Sequence, residues 1–472
     1  MTRAPAGLVA LALAACADGG VTIKPVIDLP TDEDATATAL DAISLTVAHA
    51  RSDRDLVAQN FKHGQPLEMS GVPFGDDLVV HMSGVIDQSS VAYGRTCAVS
   101  VAADAAPPTP HLFFSRSVKF ASIDIRPQPR IGGLGISYLG AALLIDGSDG
   151  SKAVQSVERF DPITGQLGMV GPVVARDRGV QALVGTSPPR ALVIGGSSSS
   201  GAGVGLIEVL DDHGIDRLEI ADMARIDLTA TALTDGRVIV MGGRPPPSGA
   251  PVGDIYEIAQ NNASLETRKL SAALAVARSG HTATRLGDDV GAAVLIAGGA
   301  DATGAPIAAA ELFKPLSEEL AKTFSRAMVV PRHGHTAALM PDGSVLFIGG
   351  FDGLDQPVTQ LELFSVDGGF VPAAPLPDHA GVVDFAATTL PDGRILLTGG
   401  RETSGGPALD TAYIIRLNPL DGMVDIVATD RMAVARAGHQ ALLLCDGTVL
   451  VTGGTPGSFT AERYNPPPSG RR

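Results

Sequence analysis

The sequence predicts an all-β protein: a seven-bladed β-propeller with a small β-domain in front of it. Three observations carry this. A hairpin-like module recurs seven times. Its Gly-Gly endings begin at 195, 242, 298, 349, 399 and 453, a period of about 50 residues. Each module is followed by a third strand containing Glu and an aromatic residue, then by a fourth short strand, the strand count of a propeller blade.

The clearest module is Arg332 to Gly350, RHGHTAALMPDGSVLFIGG. An apolar, β-compatible run meets Pro341-Asp342-Gly343, and Asp-Gly suits the positive φ angles of a two-residue hairpin turn. Ser344 to Ile348 is a second apolar run of the kind buried on both faces. Gly349-Gly350 ends it where the backbone must turn or pass close to a neighbour. Other modules start at Arg130, Arg176, Arg225, Arg278, Val382 and Arg436. Turn glycines are expected at Gly236, Gly343, Gly393 and Gly447. Third strands include Val157 to Pro162, Glu311-Leu312-Phe313, Glu362-Leu363-Phe364 and Glu462-Arg463-Tyr464.

On these modules residues 115 to 467 resemble the kelch-repeat family, in the form of the galactose-oxidase-like central domain. The resemblance departs from the usual pattern in lacking Trp; Leu167, Ile215, Leu265, Leu320, Phe370 and Val424 stand where the fourth strand carries its large residue. The fold class expected is thus an all-β, seven-bladed kelch-type β-propeller with a small N-terminal β-sandwich domain.

In chain order, 1–15 reads as a lipoprotein signal peptide. One Arg precedes an apolar run too short to anchor by spanning a bilayer. Leu13-Ala14-Ala15-Cys16 resembles a bacterial lipobox, which implies a lipid at Cys16; Ala17 after it implies the outer membrane. Ordinary cleavage after Ala12-Leu13-Ala14 is the alternative. Residues 16–42 read as a flexible tether, polar with Asp32-Glu33-Asp34. Residues 43–103 read as a small β-sandwich, immunoglobulin- or transthyretin-like, from Ile43 to Val47, Leu78 to Met82 and Thr96 to Val101. Residues 104–117 read as a linker, and 118–467 as the propeller. The last module supplies three strands and one strand precedes the first, so 118–123 is expected to close the ring and remove a sheet edge.

The net charge of −16 argues against a nucleic-acid partner. The module-start arginines Arg130, Arg176, Arg225, Arg278, Arg332 and Arg436 would lie around one axis, either as an anion-holding ring or as inter-blade ties to carbonyls and carboxylates. His281, His335 and His439 follow three residues later, but Gly133, Gly179, Leu228 and Phe385 at the same slot favour packing over a metal site. The repeated Glu158, Glu208, Glu311, Glu362 and Glu462 favour pairing over catalysis. Cys97 and Cys445 are expected to be buried thiols in separate domains, although an oxidising envelope would permit a disulfide. No copper-ligand constellation or phosphate loop is legible, and no cofactor is expected. The loops after the Gly pairs vary most and would carry binding.

The function expected is a non-catalytic envelope lipoprotein. It would be held to the membrane through Cys16 and would bind a protein or glycan. The alternatives are a carbohydrate-active envelope enzyme, mutarotase- or oxidase-like, and a dedicated glycan-binding protein.

Overall fold

The computed structural model describes residues 20–31, 40–50, 54–62, 64–87, 89–185, 187–211, 213–261, 264–321, 324, 326–418, 420–456 and 458–467. Cys16 and the expected signal segment lie outside them.

Among the described residues the repeats form seven four-stranded antiparallel sheets. The first runs from Leu134–Tyr138 to Gln166–Gly171, the second from Val180–Val184 to Gly214–Glu219, and the third from Thr229–Ala232 to Ser264–Ala273. The fourth runs from Ser279–Arg285 to Glu319–Ala321, the fifth from Thr336–Leu339 to Gly369–Pro375, and the sixth from Ala386–Thr389 to Val424–Ala428. The seventh takes His439–Leu443, Val449–Gly453 and Ala461–Asn465 from the end of the chain and its outer strand, Lys119–Ile123, from before the first sheet. Phe120 stands opposite Tyr464 in that pairing, with ring centroids 4.9 Å apart.

The second strand of each sheet is an uninterrupted apolar run because both of its faces are covered. Ala142 and Leu144 pack with Leu444 and Leu450 of the seventh sheet, while Leu143 and Ile145 pack with Ala191 and Val193 of the second. The same division recurs around the array, giving one apolar cluster for each neighbouring pair of sheets. Each such Val, Leu or Ile contributes about 1.5–3 kcal/mol by burial. Phe313, Phe347 and Phe364 supply bulk, so no Trp is needed.

The Gly pairs lie where neighbouring sheets come closest. A Cβ on Gly242 would stand 2.6 Å from both the Arg278 carbonyl oxygen and His281 Cε1 of the next sheet. The second glycine's N–H donates to that same kind of carbonyl: Gly196 to Arg225 (2.7 Å), Gly243 to Arg278 (2.9 Å), Gly299 to Arg332 (2.9 Å) and Gly400 to Arg436 (2.8 Å). Gly454 donates to Arg130 (2.7 Å), so the last sheet meets the first through the same bond. In the first sheet Asp146 replaces the leading glycine. Its carboxylate accepts the Arg176 N–H (2.9 Å), and the next sheet has Gly179 where five others place His, Phe or Leu.

The hairpin turns differ from the two-residue form expected. Met340 N–H donates to the Ser344 carbonyl (2.8 Å) and Gly343 N–H to the Met340 carbonyl (2.9 Å), so three residues form the loop. Only the glycine is left-handed: Gly236, Gly343, Gly393 and Gly447 have φ between 80° and 85°. Asp342 Oδ1 accepts the Ser344 N–H (3.0 Å), and Asp235, Asp392 and Asp446 do the same for the residue two further on. The aspartate caps the loop, and a left-handed angle there is unnecessary.

The small domain is larger than residues 43–103. Its main layer is a six-stranded sheet of Ala42–His49, Asp55–Lys62, Gly75–Ile86, Ser89–Arg95, Val99–Val101 and Ser115–Arg116. Val21–Ile23 pairs with Met69–Val72, and Val26–Asp28 runs parallel to His111–Phe113. Residues 21–23 and 26–28 are therefore strand and not tether, and 111–113 and 115–116 are strand and not linker. The cause is burial: Ile23, Leu112 and Phe114 enter the same core as Leu45, Val47, Val80 and Met82.

The cysteines also differ from expectation. Cys97 and Cys445 form a disulfide, with Cα atoms 5.0 Å apart. Cys445 lies in the hairpin loop of the seventh sheet and not within a strand. Around it, Asn465 Nδ2 donates to the Tyr93 (2.7 Å) and Ser115 (3.0 Å) carbonyls, and the Arg463 guanidinium stacks 4.1 Å from the Phe113 ring centre. The small domain thus docks on the hairpin-turn end of the seventh sheet.

The two kinds of glycine should separate on substitution. Gly343→Ala, with open space around its added methyl, should cost about 1 kcal/mol from the left-handed angle. Gly242→Ala should cost about 3 kcal/mol or more, since strain is joined by overlap with the next sheet. Urea unfolding measures both, and equal costs would refute the close-approach account.

Candidate functional site

The module-start arginines do not line an open channel. Arg130, Arg278, Arg332 and Arg436 are fully buried, and Arg176 and Arg225 nearly so. In the fifth sheet Arg332 Nη2 donates to Glu362 (2.7 Å), Nη1 to the Gln360 (2.8 Å) and Gly349 (3.3 Å) carbonyls, and Nε to the Val330 carbonyl (3.1 Å). Glu362 in turn accepts the Val329 (2.7 Å) and Val330 (3.0 Å) N–H groups. The pair therefore clasps the segment arriving from the previous sheet. Arg130–Glu158, Arg176–Glu208, Arg278–Glu311 and Arg436–Glu462 are the same device. These arginine side chains thus bond mainly within their own sheet, while their backbone carbonyls reach the Gly pair of the preceding sheet.

The exceptions fit this reading. In the third sheet the position of the glutamate is held by Tyr256, and Arg225 uses Asp254 instead (3.1 Å) while lying 5.4 Å from the Tyr256 ring centre. In the sixth sheet Val382 replaces the arginine, and Tyr413, opposite Leu397, replaces the glutamate. Arginine and glutamate are lost together there.

The histidines pack between sheets. His281 Nε2 bonds Thr229 Oγ1 (3.1 Å), His335 bonds Thr282 (3.0 Å) and His439 bonds Thr398 (2.8 Å), each threonine belonging to the preceding sheet. Burial, reinforced by the neighbouring module-start arginine, lowers each imidazole to about 3. Among the described residues no three His, Cys, Asp or Glu side chains approach as a metal-holding group.

A recess does exist, built from residues that the sequence reading passed over. Two positions after each module start the backbone turns left-handed: Gly132, Arg178, Asp227, Gly280, Gly334, Asp384 and Gly438 all have φ between 54° and 65°. These turns bond one another from sheet to sheet. Gly280 N–H donates to the Asp227 carbonyl (2.8 Å), Gly334 to Gly280 (2.8 Å), Gly438 to Asp384 (2.7 Å) and Gly132 to Gly438 (2.8 Å). They form a collar at the end opposite the hairpin turns.

Arg178, Asp227 and Asp384 hold side chains where four other modules have glycine, at a cost of order 1 kcal/mol or more each. Arg178 and Asp227 meet side by side, with Arg178 Nε donating to Asp227 Oδ1 (2.7 Å), and Arg244 Nε lies 3.5 Å from Asp227 Oδ2. They line a recess of about 590 Å³ whose other walls are Ser248-Gly249, Pro251, Ser279-Gly280, Ala300 to Gly304, His333-Gly334 and Asp355. Its walls mix both charge signs with hydroxyl and backbone groups. Asp301 is spent on its own loop, accepting the Thr303 hydroxyl (2.6 Å) and the Thr303 and Ala305 N–H groups, and those bonds, the hydroxyl's first, hold its carboxyl below the usual range. The legible signal for the site was the appearance of Arg178 and Asp227 in a slot that is glycine in four other modules.

No family model and no curated protein matches the chain. Among solved structures, it is similar to YjhT at 15% identity and a TM-score of 0.44, covering 61% of this chain and 93% of that one. It is also similar to a fungal alcohol oxidase of the AA5 family, in complex with copper, at 16% identity and a TM-score of 0.53, covering 74% and 76%. The chain folds as a β-propeller. At such identity the likeness is of fold alone.

Two predictions follow from this geometry. Arg332→Met should lose about 3–5 kcal/mol because Glu362 is left buried and unpaired. The double variant Arg332→Met/Glu362→Gln should lose less than the single one, since a neutral amide still accepts one backbone N–H. Chemical denaturation of both variants decides it; a double variant worse than the single would refute the clasp.

The histidines give a pH dependence. Their folded pKa lies below the ordinary 6.5, so below pH 6.5 the unfolded chain binds protons that the folded one refuses. Stability is whole above pH 6.5 and falls toward pH 3, by about 1.4 kcal/mol per pH unit per histidine. His281→Leu, His335→Phe and His439→Phe together should flatten the slope of unfolding free energy between pH 6 and 4 by about three protons. An unchanged slope would refute buried neutral imidazoles.

Proposed function

We propose that the chain is an exported, lipid-anchored, seven-bladed kelch-type β-propeller that works as a non-catalytic binding module through the recess at its collar. The observation that carries the binding reading is the placement of Arg178 and Asp227 on left-handed turns at the mouth, beside Arg244 and the variable loops. Strained side chains retained where glycine would fit favour a role in recognition. Seven sheets, and the bond from Gly454 to Arg130 that repeats the others, support seven blades. The disulfide supports an oxidising compartment, and with the lipobox-like Leu13 to Cys16 it supports an envelope lipoprotein of the outer membrane.

The recess suits a neutral or zwitterionic ligand rich in hydroxyl or amide groups, such as a glycan or a peptide segment. The paired charges offer donors and acceptors together, and the described lining includes no Phe, Tyr or Trp on which a sugar ring would stack.

Thermal shift of the purified protein against envelope glycans and peptides should find a stabilising ligand whose effect disappears in Asp227→Ala, with the melting temperature of the free variant little changed. Hits that persist in that variant would place binding elsewhere. Fatty-acid labelling should be present in the wild type and absent in Cys16→Ser; labelling retained in the variant would refute the anchor.

A further inference from the structure

Resting on the Cys16 anchor proposed above, we infer that the end of the small domain around Gly20 and Phe74 touches the bilayer, holding the collar recess on the side away from it. The argument begins with chain length. The strand Val21–Ile23 is already paired in the small domain, and Gly20 packs against the Gly71 backbone. Only Ala17 to Gly20 separate Cys16 from that strand. Four residues reach at most about 14 Å even when fully extended. The headgroup layer on one side of a bilayer is itself about 5–8 Å deep. A lipid on Cys16 therefore brings the folded domain to the membrane surface, where a tether running to residue 42 would have let it stand off.

The surface at that point has the chemistry for contact. Val21 is paired with Val72, and Pro73-Phe74 follow directly, so Phe74 sits beside the place where the chain leaves toward Cys16. Phe74 is 45% exposed, an aromatic residue with much of its surface open to solvent. Asp76 and Asp77 come next and are exposed, so the contact cannot depend on attraction to anionic headgroups. The occupant that fits is the interfacial zone of a neutral bilayer, entered by one aromatic ring next to the acyl anchor.

The recess lies at the other end of the molecule. The small domain is bound to the hairpin-turn end of the seventh sheet through Cys97–Cys445 and Asn465, whereas the recess is made from the collar and the loops after the Gly pairs. Membrane contact at Phe74 thus leaves the binding mouth open to the aqueous side.

The chain contains no Trp, so a single introduced indole reports its own surroundings. The probe is the lipidated full-length protein in phosphatidylcholine vesicles with brominated acyl chains. Phe74→Trp should shift its emission to the blue and lose more than half of its intensity against vesicles without bromine. Leu354→Trp, 79% exposed beside the recess residue Asp355, should show neither change. Vesicle flotation of wild type and Cys16→Ser separates the two proposals. If the wild type floats and the variant does not, yet Phe74→Trp is unquenched or Leu354→Trp is quenched equally, the orientation is wrong and the anchor stands. If neither floats, the anchor falls and the orientation with it.

Discussion

The close approach of successive sheets at the Gly pairs is the constraint on which the rest of the structure depends. A carbonyl from one module and the backbone of the preceding one share a space with no room for a side chain. That contact fixes where each inner strand begins, and hence where the clasp arginine, the interleaved histidine and the collar turn fall. Packing on both faces of every second strand follows, because the strand cannot lie so close to its neighbour without burying itself. The Asp146–Gly179 exchange shows that the constraint is on volume and not on residue type: a side chain enters from one side only when the other side gives it up.

The buried ion pairs belong to a second level of order. A charged pair taken out of water adds little net stability over an apolar one, but it tolerates few alternatives in geometry. Each Arg–Glu pair binds the incoming connection through one or two of its N–H groups, so it sets the register between sheets. The sixth module does without both partners and uses Val382 and Tyr413, which shows that a single apolar junction is tolerated within an otherwise clasped set.

Much of this was legible in the chain, and the reason is periodicity. Gly343 and its counterparts, the Gly pairs and the two-sided apolar strands recur at one spacing, so each instance corroborates the others. What recurs could be read, and counting strands against the repeat also placed the closing strand; contacts between distant segments outside the repeat could not be read. Residues 21–28 are too short and too broken by Lys24-Pro25 to announce strands, yet Ile23 enters the small domain's core and Val21 and Ile27 pack against it. Cys97 and Cys445 are 348 residues apart, and nothing local to either announces the other; only the docking of the small domain brings them together. The collar side chains were missed for a different reason. Arg178 and Asp227 look like ordinary loop residues until the backbone angle they adopt is known.

The disulfide has a mechanical consequence. A pull on the amino-terminal end would otherwise travel along the chain into Lys119–Ile123 and peel that outer strand from Ala461–Asn465 one bond at a time, the easiest way to open the propeller. The Cys97–Cys445 bond enters the seventh sheet ahead of that strand and carries the load past it into the hairpin of the sheet's two strands farthest from it. Tension is then shared across several ladder bonds in shear, and the seam where the two ends of the chain meet is kept slack.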